Sequence, residues 1–366
     1  MRFAKKQFLI LFAAAVIAFL SPADSQAQNR KMIVGQAGVN PGAGLFSIAV
    51  NQGFYKKNGL DVEIIKTNTT AAVQAMLAGK MQMATGAGAA AFVTATLEGA
   101  PPFVLVASWV NVFPYKIMAQ KGIKKIEDLK GKTGHVGAPF GTIPDTALRF
   151  ALNRLKIDPE KDVKLVQHSN ADPASILAAM EKGEVQFGIL APPFDLIAER
   201  RGYQMLLALP GLGIPWQQNG ELVPASYLKS DRDNVLRLLR ATAEAEKFYF
   251  DQKDKTIEIM TEYLGRPRDE TEYAYNQFRL WTDRIPRPRA DTVKTTLEAI
   301  KKSTPKAATA NPASFIDTSL VDQLLKEGYY TYTLLRRASI GDGAWRIAVR
   351  CRPCSRAAIF FTTLTG

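Results

Sequence analysis

AMLAGKMQMATG (residues 75–86) and AMEKGEVQFGIL (residues 179–190) are two versions of one pattern. In each, a helix-forming run ends at a glycine, and a glutamine and a short apolar run follow. Glycine adopts the left-handed conformation that ends helices at little cost. The aligned residues are Ala75, Met76, Gly79, Gln82 and Met83 in the first copy and Ala179, Met180, Gly183, Gln186 and Phe187 in the second. The pattern predicts the same helix, turn and strand in two successive lobes.

Strands and helices alternate around each copy. Around the first copy, KMIVGQAG (residues 31–38) and LDVEIIKT (60–67) read as strands, and KTGHVGAP (132–139) and DVKLVQHS (162–169) repeat the rhythm. Such alternation is typical of mainly parallel sheets covered by helices. Beyond residue 211 the sequence changes to helix after helix, ending with one from Thr318 to about Lys326. We therefore predict an α/β fold with two Rossmann-like lobes and a helical C-terminal extension packed on the first lobe.

The charge of the chain does not favour nucleic acid as a partner. Its 366 residues carry 47 Lys and Arg against 34 Asp and Glu, a net charge of +13. Six arginines of this excess lie between residues 336 and 366, and the basic doublets Lys124–Lys125 and Lys301–Lys302 form no stripe with interleaved aromatics. An apolar fraction of 47% is that of a folded protein.

The two ends of the chain differ from its body. Residues 1–27 have a basic start, an apolar run from Phe8 to Leu20 and small residues before position 28, which predicts a cleaved secretory signal; a membrane anchor is the alternative. We predict a discontinuous first lobe (28–115 and 212–335), a second lobe (116–211), and an Arg-rich tail (336–366) outside the fold.

The two cysteines, Cys351 and Cys354, lie in the tail as CRPC. A CxxC pair can be redox-active or half of a zinc site. No second ligand pair accompanies it, and His135 and His168 are the only histidines, so two incidental cysteines are the simpler interpretation. No metal site and no cofactor are expected.

Four stretches give the chain a family resemblance. NQGFYKKNGLDVEI (51–64), AAVQAMLAGKMQMATG (71–86), IEDLKGKTGHVGAPFGT (126–142) and ILAAMEKGEVQFGILAPP (176–193) resemble the substrate-binding proteins of ABC importers of the nitrate/sulfonate/taurine type, a group that includes thiamine-pyrimidine-precursor-binding proteins. The resemblance covers roughly residues 31–330. It implies a type 2 periplasmic binding protein, with two crossing strands and a ligand cleft between the lobes. Gln82 and Gln186 stand where the family has Asp, so the ion pair of that Asp is expected to be absent.

The predicted ligand cleft lies where loops follow the carboxyl ends of the parallel strands. Loops 39–43, 86–89, 140–142 and 191–193 occupy such positions, and their glycines would let a ligand approach the backbone. The candidate ligand-binding residues are Asn40, Gly42, Ala43, Gly88, Ala89, Trp109, Asn111, Phe140, Gly141, Thr142, Pro192, Pro193 and Trp216. Alternatives remain: the glycines could only form turns, Trp109 and Phe140 could fill a core, and Thr142 could only cap a helix.

These loops carry no Arg, Lys or His, which favours a small organic solute over nitrate or sulfate, because compact anions attract guanidinium groups. The resemblance implies a non-catalytic, monomeric periplasmic protein that delivers a sulfonate, carboxylate or pyrimidine-like solute to an inner-membrane permease. One alternative is a sensing module for a membrane receptor. Another is an enzyme of thiamine-pyrimidine synthesis, which the absence of cysteine before Cys351 disfavours; no GxSxG elbow indicates a hydrolase. His135, near loop 140–142, is the histidine that an active site would use.

Overall fold

The computed structural model describes residues 29–169 and 172–330, and the backbone of a short antiparallel pair, Ala338–Ser339 with Trp345–Arg346. The predicted signal (1–27) and most of the predicted tail (336–366), including both cysteines, lie outside the described residues. Among the described residues, no helix combines the length and apolar character needed to cross a bilayer.

The first sheet has five strands in the order β2-β1-β3-β10-β4. β1 is parallel to β2 and to β3, whereas β10 is antiparallel to β3 and to β4. The strands are β1 (Arg30–Ala37), β2 (Leu60–Thr67), β3 (Met83–Thr85), β4 (Phe103–Val110) and β10 (Asn219–Pro224).

The second sheet repeats this arrangement in the order β7-β6-β8-β5-β9. β6 is parallel to β7 and β8, and β5 is antiparallel to β8 and β9. The strands are β5 (Lys116–Ala119), β6 (Thr133–His135), β7 (Lys164–Val166), β8 (Phe187–Leu190) and β9 (Gln204–Ala208). The antiparallel strands are β10 in the first sheet and β5 in the second. Each of them follows the segment by which the chain enters its sheet from the other sheet, so the chain passes between the two sheets twice.

Helices cover both sheets. They are α1 (Gly44–Asn51), α2 (Phe54–Lys57), α3 (Thr69–Leu77), α4 (Ala89–Leu97), α5 (Ile143–Arg154), α6 (Pro173–Glu181), α7 (Phe194–Arg200), α8 (Ala225–Ser230), α9 (Arg232–Asp251), α10 (Lys253–Leu264), α11 (Arg268–Trp281), α12 (Ala290–Ile300) and α13 (Ser319–Lys326). α5 begins at Ile143, and Pro144 fits its first turn, where no backbone N–H is needed.

The C-terminal helices belong to the first lobe, as predicted. α9 packs on α1, and α13 packs on β4. α13 shows why: its buried residues Leu320, Val321 and Leu324 share one face of the helix, and charged residues occupy the other. We call the first sheet with these helices the first lobe, and the second sheet with α5–α7 the second lobe.

The repeated stretches form equivalent units in the two lobes. α3 ends before Gly79 and α6 before Gly183, and both glycines have positive φ, 70° and 74°. The Gln82 Oε1 accepts from the Ile33 backbone N–H at 2.7 Å, and the Gln186 Oε1 accepts from that of Thr133 at 3.1 Å. Each glutamine therefore ties its unit to an equivalent parallel strand, β1 in the first lobe and β6 in the second, by a neutral hydrogen bond.

Candidate functional site

The two lobes touch where the predicted cleft loops meet. Gly88 lies in the loop after β3 of the first lobe, and Ile143 begins α5 of the second. A Cβ added to Gly88 would lie 2.9 Å from the Ile143 Cδ1 and 3.8 Å from the backbone oxygen of Gln218. A Cβ at position 88 would displace the end of the Ile143 side chain, so glycine gives this contact its room.

The loop after β1 is held from within the first lobe. The Asn40 Oδ1 accepts from the Ala43 N–H at 3.2 Å, which caps a 3-10 turn at Pro41–Ala43. Gly42 is buried, and a Cβ there would lie 2.4 Å from the Asn219 Oδ1. Position 42 therefore needs glycine so that the Asn219 side chain can lie against the loop.

Trp109 supports that loop from the core of the first lobe. Its Nε1 donates to the Gly42 carbonyl at 2.7 Å, and its ring lies 5.4 Å from that of Phe46. The side chain is 1% exposed, as is typical of a core residue. Ala43 and Ala89 are likewise buried.

Asn111 is fixed at the first crossing. Its Oδ1 accepts from the Ser108 hydroxyl at 2.6 Å, and its Nδ2 donates to the Asp283 Oδ2 at 2.8 Å. Burial raises the pKa of the Asp283 carboxyl, and the Asn111 hydrogen bond partly offsets this. Asn111 thus joins the crossing segment to Asp283, two residues after the end of α11.

At the second crossing, Trp216 lies against the apolar core of the second lobe. Its ring stacks on Phe113 with centroids 4.4 Å apart. The indole Nε1 is buried and has no hydrogen-bond partner in the described part of the chain.

The loop before α5 is the most open of the predicted loops. Phe140 is 43% exposed and lies under the guanidinium of Arg149, 5.1 Å from the ring centre. Thr142 occupies the N-cap position of α5, but its hydroxyl donates to the Pro139 carbonyl at 2.6 Å and caps no N–H of the helix, which was the alternative to ligand binding. The Asp145 carboxylate accepts a hydrogen bond from the backbone N–H of Gly141. Gly141 itself is exposed.

The loop after β8 is buried. Pro192 and Pro193 lie between β8 and α7, and the Phe194 N–H closes the turn on the Ala191 carbonyl at 2.9 Å. Ala191 is half-buried beside them.

His135 lies at the end of β6 in a structural arrangement. Its Nδ1 accepts from the Gly137 N–H at 2.8 Å, and its ring centre is 6.3 Å from that of His168. Burial lowers the pKa of His135, and the neighbouring His168 lowers it further. The neutral ring therefore serves as the hydrogen-bond acceptor that fixes the turn after β6.

Three consecutive amides in the returning crossing were not predicted. Gln217, Gln218 and Asn219 are buried, and their NH₂ groups donate to the Ala87 carbonyl at 2.9 Å, the Tyr115 hydroxyl at 3.4 Å and the Gly86 carbonyl at 3.4 Å. Their side-chain oxygens have no hydrogen-bond partner among the described residues. An uninterrupted QQN run inside the apolar segment GIPWQQNGELVP is the sequence signal that could have found them.

A second unpredicted feature links the lobes through Lys116, Asp195 and Tyr273. The Lys116 Nζ lies 2.8 Å from the Asp195 Oδ2 within the second lobe. Tyr273, from α11 of the first lobe, accepts from the Lys116 Nζ at 2.7 Å and donates to the Asp195 Oδ2 at 2.6 Å. Burial raises the pKa of Tyr273, and the hydrogen bond to Asp195 raises it further. The phenol therefore remains protonated and bridges the ion pair across the lobes.

Comparison with known proteins agrees with this architecture. Residues 40–256 match the family model described as NMT1/THI5 like. YtlA of Bacillus subtilis (strain 168), described as a binding protein, is 27% identical over 248 residues, 63% of this chain and 70% of that protein. The periplasmic sulfonate-binding protein SsuA of Methylobacillus flagellatus KT superimposes with a TM-score of 0.68 at 18% identity, covering 82% of this chain and 95% of that one. The periplasmic aliphatic sulphonate binding protein SsuA of Escherichia coli gives 0.65 at 16% identity, covering 79% and 92%. The two-lobed periplasmic-binding-protein fold predicted from the sequence is confirmed.

Proposed function

The chain belongs to the NMT1/THI5-like family, and we propose that it is the solute-binding component of an ABC importer, capturing a small organic molecule between its two lobes. The observation that carries the proposal is the set of buried amide oxygens on the returning crossing, beside the contact between Gly88 and Ile143. Buried polar groups without partners are rare in proteins, and a ligand would satisfy them.

The proposed binding role also implies a cellular compartment and a partner protein. The predicted signal at residues 1–27 and the likeness to periplasmic proteins support a periplasmic monomer that delivers its solute to an inner-membrane permease. We propose binding without catalysis and without a cofactor. The proposed lobe limits are those expected from the sequence: 28–115 with 212–335, and 116–211.

In such a site, most of the binding free energy comes from closing the two lobes around the solute. A micromolar solute needs about 8 kcal/mol of binding free energy, and helix N-termini contribute only about 0.3–1 kcal/mol each. The balance comes from burying the solute as the lobes approach, which a ligand with higher affinity for the closed state favours.

A thermal-shift experiment on the full secreted chain tests the proposal. The protein is unfolded and refolded to release bound solute, then mixed with a panel of polar metabolites. A solute at one hundred times its Kd adds about 2.7 kcal/mol of stability, which raises Tm by several degrees. Gly88→Val crowds the contact with Ile143 between the lobes and should weaken the shift. Gly211→Val, where no atom lies near the added Cβ, should keep it. Failure of every solute to shift the wild-type protein would refute the proposal.

A further inference from the structure

The buried amides of the returning crossing have a fixed direction. The Gln217 Nε2 lies 2.9 Å from the Ala87 backbone carbonyl, and the Asn219 Nδ2 lies 3.4 Å from that of Gly86. A carbonyl oxygen can only accept a hydrogen bond, so each NH₂ group must face it. The Gln217 Oε1 and Asn219 Oδ1 therefore face away from the loop after β3. Gln218 is different, because its partner is the Tyr115 hydroxyl, which can donate or accept.

The two oriented oxygens are acceptors that lack donors. Gln217 and Asn219 are 0% and 1% exposed, and neither oxygen has a partner within residues 29–169 and 172–330. The Asn219 Oδ1 lies at Gly42, 2.4 Å from the position of an added Cβ, and the Gln217 Nε2 lies 2.9 Å from the position of a Cβ added to Gly220. Two buried acceptors with no donor favour a ligand that brings N–H groups.

The surrounding charges do not favour an anion. Lys116 is already paired with Asp195, and Arg149 with Asp145 and Glu160. An anionic group brings only acceptors, and it would oppose the two amide oxygens. One buried donor, the Trp216 Nε1, also has no partner among the described residues.

We propose that Gln217 and Asn219 determine specificity, selecting a neutral or cationic solute with N–H donors, such as an amide or amidine, over a carboxylate or sulfonate. The inference rests on the proposed function and names the solute class of that site. This solute class differs from the sulfonates named for the binding proteins to which the fold is similar. Gly42 contributes by leaving room for the Asn219 oxygen.

Probes that share a scaffold but differ in their polar group test the inference on the full secreted chain. Benzamide, benzamidine, benzenesulfonamide, benzoate and benzenesulfonate share one ring, and acetamide, acetamidine and acetate form a smaller set. Isothermal titration should give Kd values at least tenfold lower for the donor-bearing member of each set than for its anion. Tighter binding of an anion in either set, or binding of no donor-bearing probe in either set, overturns the inference.

Variants of Asn219 test whether this residue causes the preference for donor-bearing probes. Asn219→Leu removes the acceptor and should weaken the best donor-bearing probe at least tenfold. Asn219→Asp retains acceptor oxygens and should bind benzamidine at least tenfold more tightly than Asn219→Leu does. Asn153→Leu, on the exposed face of α5, is the matched control and should change nothing. If either variant fails to fold by circular dichroism, the wild-type probe series decides alone.

The two proposals fail differently. If the metabolite panel yields a solute that is anionic and lacks N–H donors, the solute-binding function stands and the specificity inference falls. If no solute or probe of any class binds, both fall.

Discussion

The two lobes share a scaffold but differ in what they bury. Gln82 and Gln186 make the same hydrogen bond to β1 and β6, the equivalent strands of the two lobes. The first lobe encloses the carboxyl group of Glu221, which accepts from the Thr242 hydroxyl, whereas the second lobe encloses that of Asp195, which is paired with Lys116. The comparison separates the framework that both lobes share from the buried groups that occur in one lobe only.

The register shows how two different side-chain pairs fit one scaffold. In the first lobe Val34 on β1 pairs with Met83 on β3. At the equivalent place in the second lobe Gly134 on β6 pairs with Phe187 on β8, and a Cβ on Gly134 would lie 2.2 Å from the ring. The absent side chain at position 134 therefore makes room for the phenylalanine.

Gly134→Val should have the largest effect. The added side chain overlaps the Phe187 ring, and overpacking of this severity should cost about 3 kcal/mol of unfolding free energy. The double variant Gly134→Val with Phe187→Met recreates the first-lobe pair and should recover most of that loss. Urea unfolding followed by circular dichroism measures both. A double variant as unstable as the single one would show that the two lobes are not interchangeable at this position.

Glu221→Gln should remove a pH dependence that belongs to the first lobe. Burial raises the pKa of Glu221 from 4.5 to about 8, partly offset by the hydroxyls of Thr242 and Thr85. Between these values the folded protein keeps a proton that the unfolded chain releases, so this group's stabilising contribution, complete below pH 4.5, is lost as pH rises towards 8. The slope is at most about 1.4 kcal/mol per pH unit.

Urea midpoints at pH 5.5 and 7.5 check this expectation. The wild-type protein should lose up to about 2.7 kcal/mol more than Glu221→Gln over that interval. Glu98→Gln, at an exposed position, should behave as the wild type. Parallel pH profiles for wild type and Glu221→Gln would contradict the pKa shift. Glu246, whose pKa burial also raises, leaves a residual slope in every variant.

The sequence predicts the framework better than the site. Glycines such as Gly79 and Gly183, and the alternation of strands and helices, are local signals, and they suffice for both lobes. Asn40, Gly42 and Gly88 were expected near the cleft because the carboxyl ends of strands define it. The Gln217 and Asn219 oxygens and the link through Tyr273 depend on contacts between residues far apart in sequence. Local periodicity carries no information about such contacts, so it left open whether Trp109 lines the cleft or fills the core, where its ring is buried under Gly42.

Tyr273→Phe should have the smallest effect on stability and should act between the lobes. The Lys116–Asp195 pair lies wholly in the second lobe and persists, so the variant loses only the cross-lobe hydroxyl. A hydrogen bond of this kind contributes about 1 kcal/mol, which should shift the ligand-free protein towards the open form about fivefold. Small-angle scattering should show a larger radius of gyration for the ligand-free variant than for the wild type. Tyr275→Phe, on the same helix, removes a hydrogen bond to the Tyr249 carbonyl inside the first lobe and should leave that radius unchanged. If both variants match the wild type in radius, the bridge from Tyr273 does not hold the lobes together, and closure must rest on the contact between Gly88 and Ile143.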